Sequence, residues 1–126
     1  MKVVVATVLI LIIFFTSSLL LNQYIERTSK EITDMIQKLE VAIEKEDWKE
    51  GQAHMEDIVK QWHKTRNMWQ TFLEHYEIDA IDIVLAKVEK YVSIEERTLS
   101  LGGIAELELL IEHIIGKGEF KLTNIL

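Results

Sequence analysis

The sequence has no cysteine and no proline, and only five glycines in 126 residues. Without cysteine, structural disulfides, thiol nucleophiles, a lipid-bearing cysteine and cysteine-based zinc sites are all excluded. Without proline, nothing breaks a helix from within, and no linker composition divides the chain. Sustained apolar/polar alternation is also missing, which leaves no candidate strand. Apolar residues recur instead at spacings of three and four, so the class is all-α. Positive charge is scarce. Beyond residue 21 the chain carries 13 basic and 21 acidic side chains, a net charge of −8. Such a surface repels phosphate, so no nucleic-acid partner is expected, and no polybasic cluster follows the N-terminus to recruit anionic lipid.

What the chain does have is one long apolar run. Residues 3–21, VVVATVLILIIFFTSSLLL, are free of charge. At ~1.5 Å per residue they span roughly 28 Å as a helix, close to the hydrocarbon thickness of a bilayer. The competing reading is the core of a cleaved signal peptide, with Thr16, Ser17 and Ser18 as the small residues, although Leu19, Leu20 and Leu21 continue the run past them. We therefore expect a transmembrane anchor over 1–21 and a helical domain over 22–126. Counting basic residues nearly ties the two flanks, Lys2 and the amino terminus against Arg27 and Lys30. A short, positively charged tail is retained in the cytoplasm, so the expected location is the cell membrane, single-pass, with 22–126 extracytoplasmic.

Helical periodicity then predicts four helices, the first continuing out of the membrane with Ile25, Ile32, Ile36, Leu39 and Ile43 on one stripe and ending near Glu46. Asp47 caps the second, with Glu50 three residues on. In that helix Trp48, Met55, Trp62, Trp69 and Tyr76 recur every seven residues, flanked by Ile58 and Phe72, while the opposite face is almost entirely polar. A stripe of this kind is a buried face, so these aromatics and Met55 are assigned to the core rather than to a ligand site. Asp79 is expected to cap a third helix, with Asp82 in its first turn and Ile81, Leu85, Val88 and Val92 inward. Ser93 and Glu96 offer a cap for a fourth, with Leu101, Ile104, Leu107 (or Glu108), Ile111 and Ile115 inward and Gly116 as its stop. The small residues Ser100, Gly102, Gly103 and Ala105 read either as close packing that admits a tryptophan or as a kink. The fold expected is an N-terminal transmembrane helix continuing into a four-helix bundle of two αα-hairpins. The apolar tail residues Phe120, Leu122, Ile125 and Leu126 need a surface to dock on.

Candidate chemistry is thin. His75, Asp79 and Asp82, joined by Glu112 and His113, can be drawn as a metal site, but only if the helix runs unbroken through His75. The Glu-x-x-His and His-Glu-x-x-His patterns of helical metal centres are absent. No metal, cofactor or catalytic residue is assigned, and His75 reads as a residue favoured by the dipole at the end of helix two. No nucleophile elbow, Walker loop or dinucleotide fingerprint occurs, so the chain is not expected to be an enzyme. Thr65 and Arg66 are the polar residues on core-facing positions. Arg66 either meets an acidic residue on helix three or four, such as Glu108, or lies at the rim with its charge in water.

The order of parts resembles the family of small bacterial membrane proteins called domain of unknown function 4363. The resemblance rests on the N-terminal apolar helix, the Asp-Trp opening of helix two, Trp62, the HYEID segment with His75, Glu77, Ile78 and Asp79, and the closing TNIL, and it covers the whole chain. It implies a single-pass anchor carrying a helical domain, encoded near multi-pass membrane proteins in spore-forming bacteria. It also implies that His75, Asp79 and Asn124 lock the helix two–three corner and the tail. The expected function is a membrane-anchored, non-catalytic accessory subunit of a multi-pass membrane partner. The alternative is an extracytoplasmic sensor or small-ligand-binding bundle.

Overall fold

The computed structural model describes residues 1–71 and 73–125, with side chains up to residue 116. It contains four helices in chain order: α1 (Lys2–Glu44), α2 (Trp48–Trp69), α3 (His75–Ser93) and α4 (Arg97–Ile125). Each packs on its sequence neighbour and α4 closes against α1, which makes an antiparallel four-helix bundle. Because no glycine or proline interrupts it, α1 runs as one helix of 43 residues, about 64 Å long. Its first half is long and apolar enough to cross a membrane, and none of it is buried in the protein. Burial begins at Thr28 and continues through Ser29, Ile32, Ile36, Leu39, Ala42 and Ile43.

The two hairpin corners share one geometry. After α1, Glu46 adopts φ 55°, and after α3, Glu95 adopts φ 59°. In the first corner Glu46 N–H bonds Ile43 O and Asp47 N–H bonds Ala42 O. In the second Glu95 N–H bonds Val92 O and Glu96 N–H bonds Tyr91 O. This is the Schellman ending, with glutamate in the left-handed seat that glycine usually takes. Asp47 caps α2 as expected, its Oδ1 accepting from Glu50 N–H at 3.2 Å.

Two other cap assignments are corrected. Helix α3 begins at His75, with Glu74 at its N-cap, and the Glu77 carboxylate accepts from Glu74 N–H at 3.4 Å. Asp79 therefore lies one turn inside α3. Ser93 belongs to the last turn of α3, where its hydroxyl donates to Lys90 O at 2.6 Å, and α4 starts only at Arg97. Gly116 does not end α4, which continues to Ile125.

Between the identical corners, the inward residues repeat at a fixed interval of 49 positions. Ile32 pairs with Ile81, Ile36 with Leu85, Leu39 with Val88, Ile43 with Val92, Met55 with Ile104, Ile58 with Leu107 and Trp62 with Ile111, and every one is buried. Gly51 and Ser100 share the equivalent small seat, also buried. A Cβ on Gly51 would stand 2.9 Å from Ile43 Cδ1, so α1 and α2 approach closely there. One on Gly103 would stand 2.7 Å from Val88 Cγ2. The small residues of α4 thus admit α3 rather than a tryptophan from α2, and the helix is unbroken through them.

The aromatic stripe of α2 is core where α2 is helix. Trp69 is fully buried, Trp62 and Met55 nearly so, and Trp48 packs at the edge of the cluster. The two tryptophan rings meet edge-to-face at 5.5 Å, an arrangement that adds about 0.5–1.5 kcal/mol to their burial. Tyr76 departs from the expectation. It is 58% exposed, because α2 ends at Trp69 and Tyr76 belongs to α3, which starts a new helical phase at His75. Phe72 lies outside the described residues.

Candidate functional site

A polar constellation that joins α2 to α3 is centred on Asp82. Trp62 and Arg66 stand four residues apart on α2, so their side chains project side by side toward α3. Trp62 Nε1 donates to Asp82 Oδ1 at 2.7 Å. Arg66 Nε lies 3.1 Å from Oδ1 and 2.9 Å from Oδ2, and its Nη2 lies 2.8 Å from Oδ2. The guanidinium thus meets the carboxylate side-on with two N–H groups, and the indole takes a third acceptor position. Burial pushes the Asp82 carboxyl up. The Arg66 and Trp62 hydrogen bonds, the Arg66 charge and the nearby His63 outweigh it, and the group is held below the usual carboxylate range. An aspartate fixed in its ionised form by three donors is a clamp.

Above this clamp runs an open groove of about 520 Å³ between α2 and α3, lined also by Val59, His63, Asn67, Leu85 and Glu89. The α2–α3 seam is the least closely packed of the four. The repeat explains why. At the positions equivalent to Arg66 and Asp82, the α1–α4 seam has Ile115 and Thr33, and Ile111 replaces Trp62. One seam closes on aliphatic side chains; the other is held apart by an indole and an ion pair.

Deeper in the core, Trp69 Nε1 donates to Thr28 Oγ1 at 3.0 Å, and that hydroxyl donates back to Tyr24 O at 2.8 Å. This chain ties the end of α2 to α1 just where α1 enters the bundle. On the opposite seam Glu108 is half-buried. Burial first, then the charges of Glu40 and Glu112, raises its carboxyl above the usual range.

The expected site residues fare unevenly. Arg66 does reach an acidic residue on α3, but it is Asp82 and not Glu108. His75 opens α3 and does not close α2, so a dipole-favoured position at the end of α2 is not what it occupies. His75 and Asp79 do share one helix, but both are exposed, and among the described residues no group of three or more histidine or acidic side chains could hold a metal. The side chains of Asn124, Phe120, Leu122, Ile125 and Leu126 lie outside the described residues. In the sequence Asp82 reads as a first-turn acid and as a member of the metal site that His75 and Asp79 could be drawn into, not as the partner of Arg66. The signal that would have found its role is the Trp-x-x-x-Arg spacing, which aims two donors at one point and calls for an acceptor.

An apolar helix feeding a four-helix bundle defines a small all-α domain on a membrane-length stalk. Residues 19–125 match the model of domain of unknown function 4363, and the chain belongs to that family. No curated protein and no solved structure matches it.

Proposed function

We propose that the protein is a non-catalytic accessory subunit that α1 anchors in the cell membrane, with residues 22–126 extracytoplasmic, and that it binds an integral membrane partner through the outer face of its second hairpin. The observation that carries this reading comes from the internal repeat. Where the first hairpin turns Asp34, Lys45, Glu50, Glu56 and Lys60 to the outside, the second has Ile83, Ile94, Leu99, Ala105 and Leu109. Ile83 is 58% exposed and Leu109 67%. At these five positions hairpins with one inward code differ on the outside, and exposed aliphatic surface is where contact surfaces form.

The test is photo-crosslinking in the cells' own membranes, from an unnatural side chain at position 83 or 109, with positions 34 and 60 as internal controls. A crosslink to an integral membrane protein from 83 and 109 but not from 34 and 60 supports the reading. Equal labelling from both hairpins, or a product containing only this chain, refutes it. A ligand-binding reading draws on the α2–α3 groove, whose rim carries His63, Asn67 and Glu89 around the clamp. It is the weaker of the two because the clamp's polar groups already satisfy one another.

A further inference from the structure

The two ends of the bundle differ in chemistry. At the far end from the apolar run, the α1–α2 and α3–α4 corners are dense with charge: Glu44, Lys45, Glu46 and Asp47 in one, Glu95, Glu96 and Arg97 in the other. At the near end, of the described corner residues Gln70, Thr71, Leu73 and Glu74, Glu74 alone is charged. Beside them Met68 is 48% exposed and Tyr76 58%.

Helix α1 sets the height of that corner. The uncharged run closes at Leu21, and Thr28 follows seven residues later, about 10 Å further along the helix. Thr28 Oγ1 accepts from Trp69 Nε1 at 3.0 Å, which fixes the last turn of α2 at the same level. Helix α2 runs antiparallel to α1, so residues beyond Trp69 head back toward Leu21. The headgroup layer on each side of a bilayer is roughly 5–8 Å deep. The corner therefore falls at the depth of that layer if residues 3–21 occupy the hydrocarbon. Tyr24, packed against the core with Arg27 over its ring at 5.7 Å, lies at the same depth on α1.

We propose that the α2–α3 corner, through Met68 and Tyr76, rests in the headgroup layer of the bilayer that α1 crosses, so that the bundle sits on the membrane instead of standing off from it. The proposal rests on the anchor reading above. Tyrosine is enriched at this depth because its ring is apolar and its hydroxyl is wet, and methionine adapts to an irregular apolar surface. The corner holds no basic cluster, so the docking is to neutral lipid as much as to acidic lipid.

The absence of cysteine makes the test clean, since any introduced thiol is unique. Ile10→Cys, Met68→Cys, Tyr76→Cys and Thr98→Cys are made in the full chain, labelled with an environment-sensitive fluorophore and placed in phosphatidylcholine nanodiscs. Nitroxide lipids then quench from the headgroup or from the acyl-chain end. The expected result is quenching by the headgroup probe at positions 68 and 76, by the deep probe at position 10, and by neither at position 98 in the distal corner. Labels at 68 and 76 as unquenched as the one at 98, with position 10 still quenched, would overturn the docking and leave the anchor standing. An unquenched label at position 10 would overturn the anchor itself. Labels at 68 and 76 shielded from lipid and aqueous quenchers alike would show that protein covers the corner, which also refutes the proposal.

Discussion

Replacing Asp82 by alanine removes the acceptor of the Trp62 indole and the counter-charge of Arg66 in a single step. The two losses are unequal. Trp62 is 2% exposed, and without the carboxylate its N–H loses its acceptor at the wall of the groove, a loss that costs about 1–3 kcal/mol. Arg66 lies at the rim of the groove, keeps its hydration, and contributes little through the ion pair. The expected destabilisation is therefore that of the indole, about 1–3 kcal/mol out of the ~5–15 kcal/mol of an ordinary domain. Asp82→Asn separates the contributions, because an amide oxygen can still accept from Trp62 while the charge is lost; its effect is smaller. The pH dependence has a definite sign. The folded-state carboxyl lies below its ordinary value, so its contribution is present above the unfolded pKa near 4 and is lost as pH falls through the folded value. Urea unfolding of the full chain in mild detergent, followed by far-ultraviolet circular dichroism, should separate wild type from Asp82→Asn at pH 7, and the gap should narrow as pH falls below the unfolded carboxyl's value. The Asp82→Ala deficit should persist at both. An alanine variant within about 0.5 kcal/mol of wild type, or an asparagine gap unchanged at pH 3, would refute the clamp.

Trp69→Ala should lower stability by about 3–5 kcal/mol through the cavity it leaves, while His63→Ala, on the exposed face of the same helix, stays within about 0.5 kcal/mol; paired urea curves decide between core and surface. Glu46→Gly and Glu95→Gly should each stabilise by about 0.5–1 kcal/mol, since each relieves a left-handed residue that bears a side chain. A loss in either would mean that the corner geometry differs. Glu108→Gln should raise the thermal midpoint at pH 7 and not below pH 4: a carboxyl whose folded pKa is raised is favoured while protonated and loses that favour as pH rises through the folded value. An equal gain at both pH values would assign the effect to packing.

The helices and their inward faces were legible because both follow from local rules. The heptad of α2 located Met55, Ile58, Trp62 and Trp69 without any tertiary information, and the aliphatic stripes of α1 and α3 did the same. Where the reading failed, a boundary was involved. Extending the heptad of α2 to Tyr76 assumed that the helix continued. Instead α2 ends at Trp69, with no glycine or proline to mark the stop, and α3 begins a new helix at His75. Asp79 and Ser93 look like better caps than Glu74 and Glu96, and cap preference alone would choose them. Ser93 is passed over because α3 closes in a Schellman ending beyond it, and Asp79 because the Glu74–Glu77 capping box starts α3 in the register that buries Ile78. Pairing across helices was out of reach for a different reason. Arg66 has acidic residues available on both α3 and α4, and only the phase of α3 relative to α2 selects Asp82 over Glu108.

That phase is where the two halves of the molecule part company. A repeat at 49 residues can hold only if each hairpin closes on itself in the same way, which requires the small seat at Gly51 and Ser100 and the aliphatic layers on either side. Those positions are constrained by packing, since one methylene too many or too few is felt throughout a close-packed interior. The seams between hairpins are less constrained. One is free to close on Ile111 and Ile115, and the other to open over Trp62, Arg66 and Asp82. The outer faces are hardly constrained at all, because a surface exchange of charge for an aliphatic side chain changes stability little. Packing therefore explains the likeness of the hairpins but is silent on why the second has Ile83 and Leu109 where the first has Asp34 and Lys60. An aliphatic surface at Ile83 and Leu109 carries an association hazard in water, and it is this surface that we propose a partner covers. The same reasoning applies to Met68 and Tyr76 at the near end of the bundle, where the solvent that suits them is a bilayer's headgroup layer.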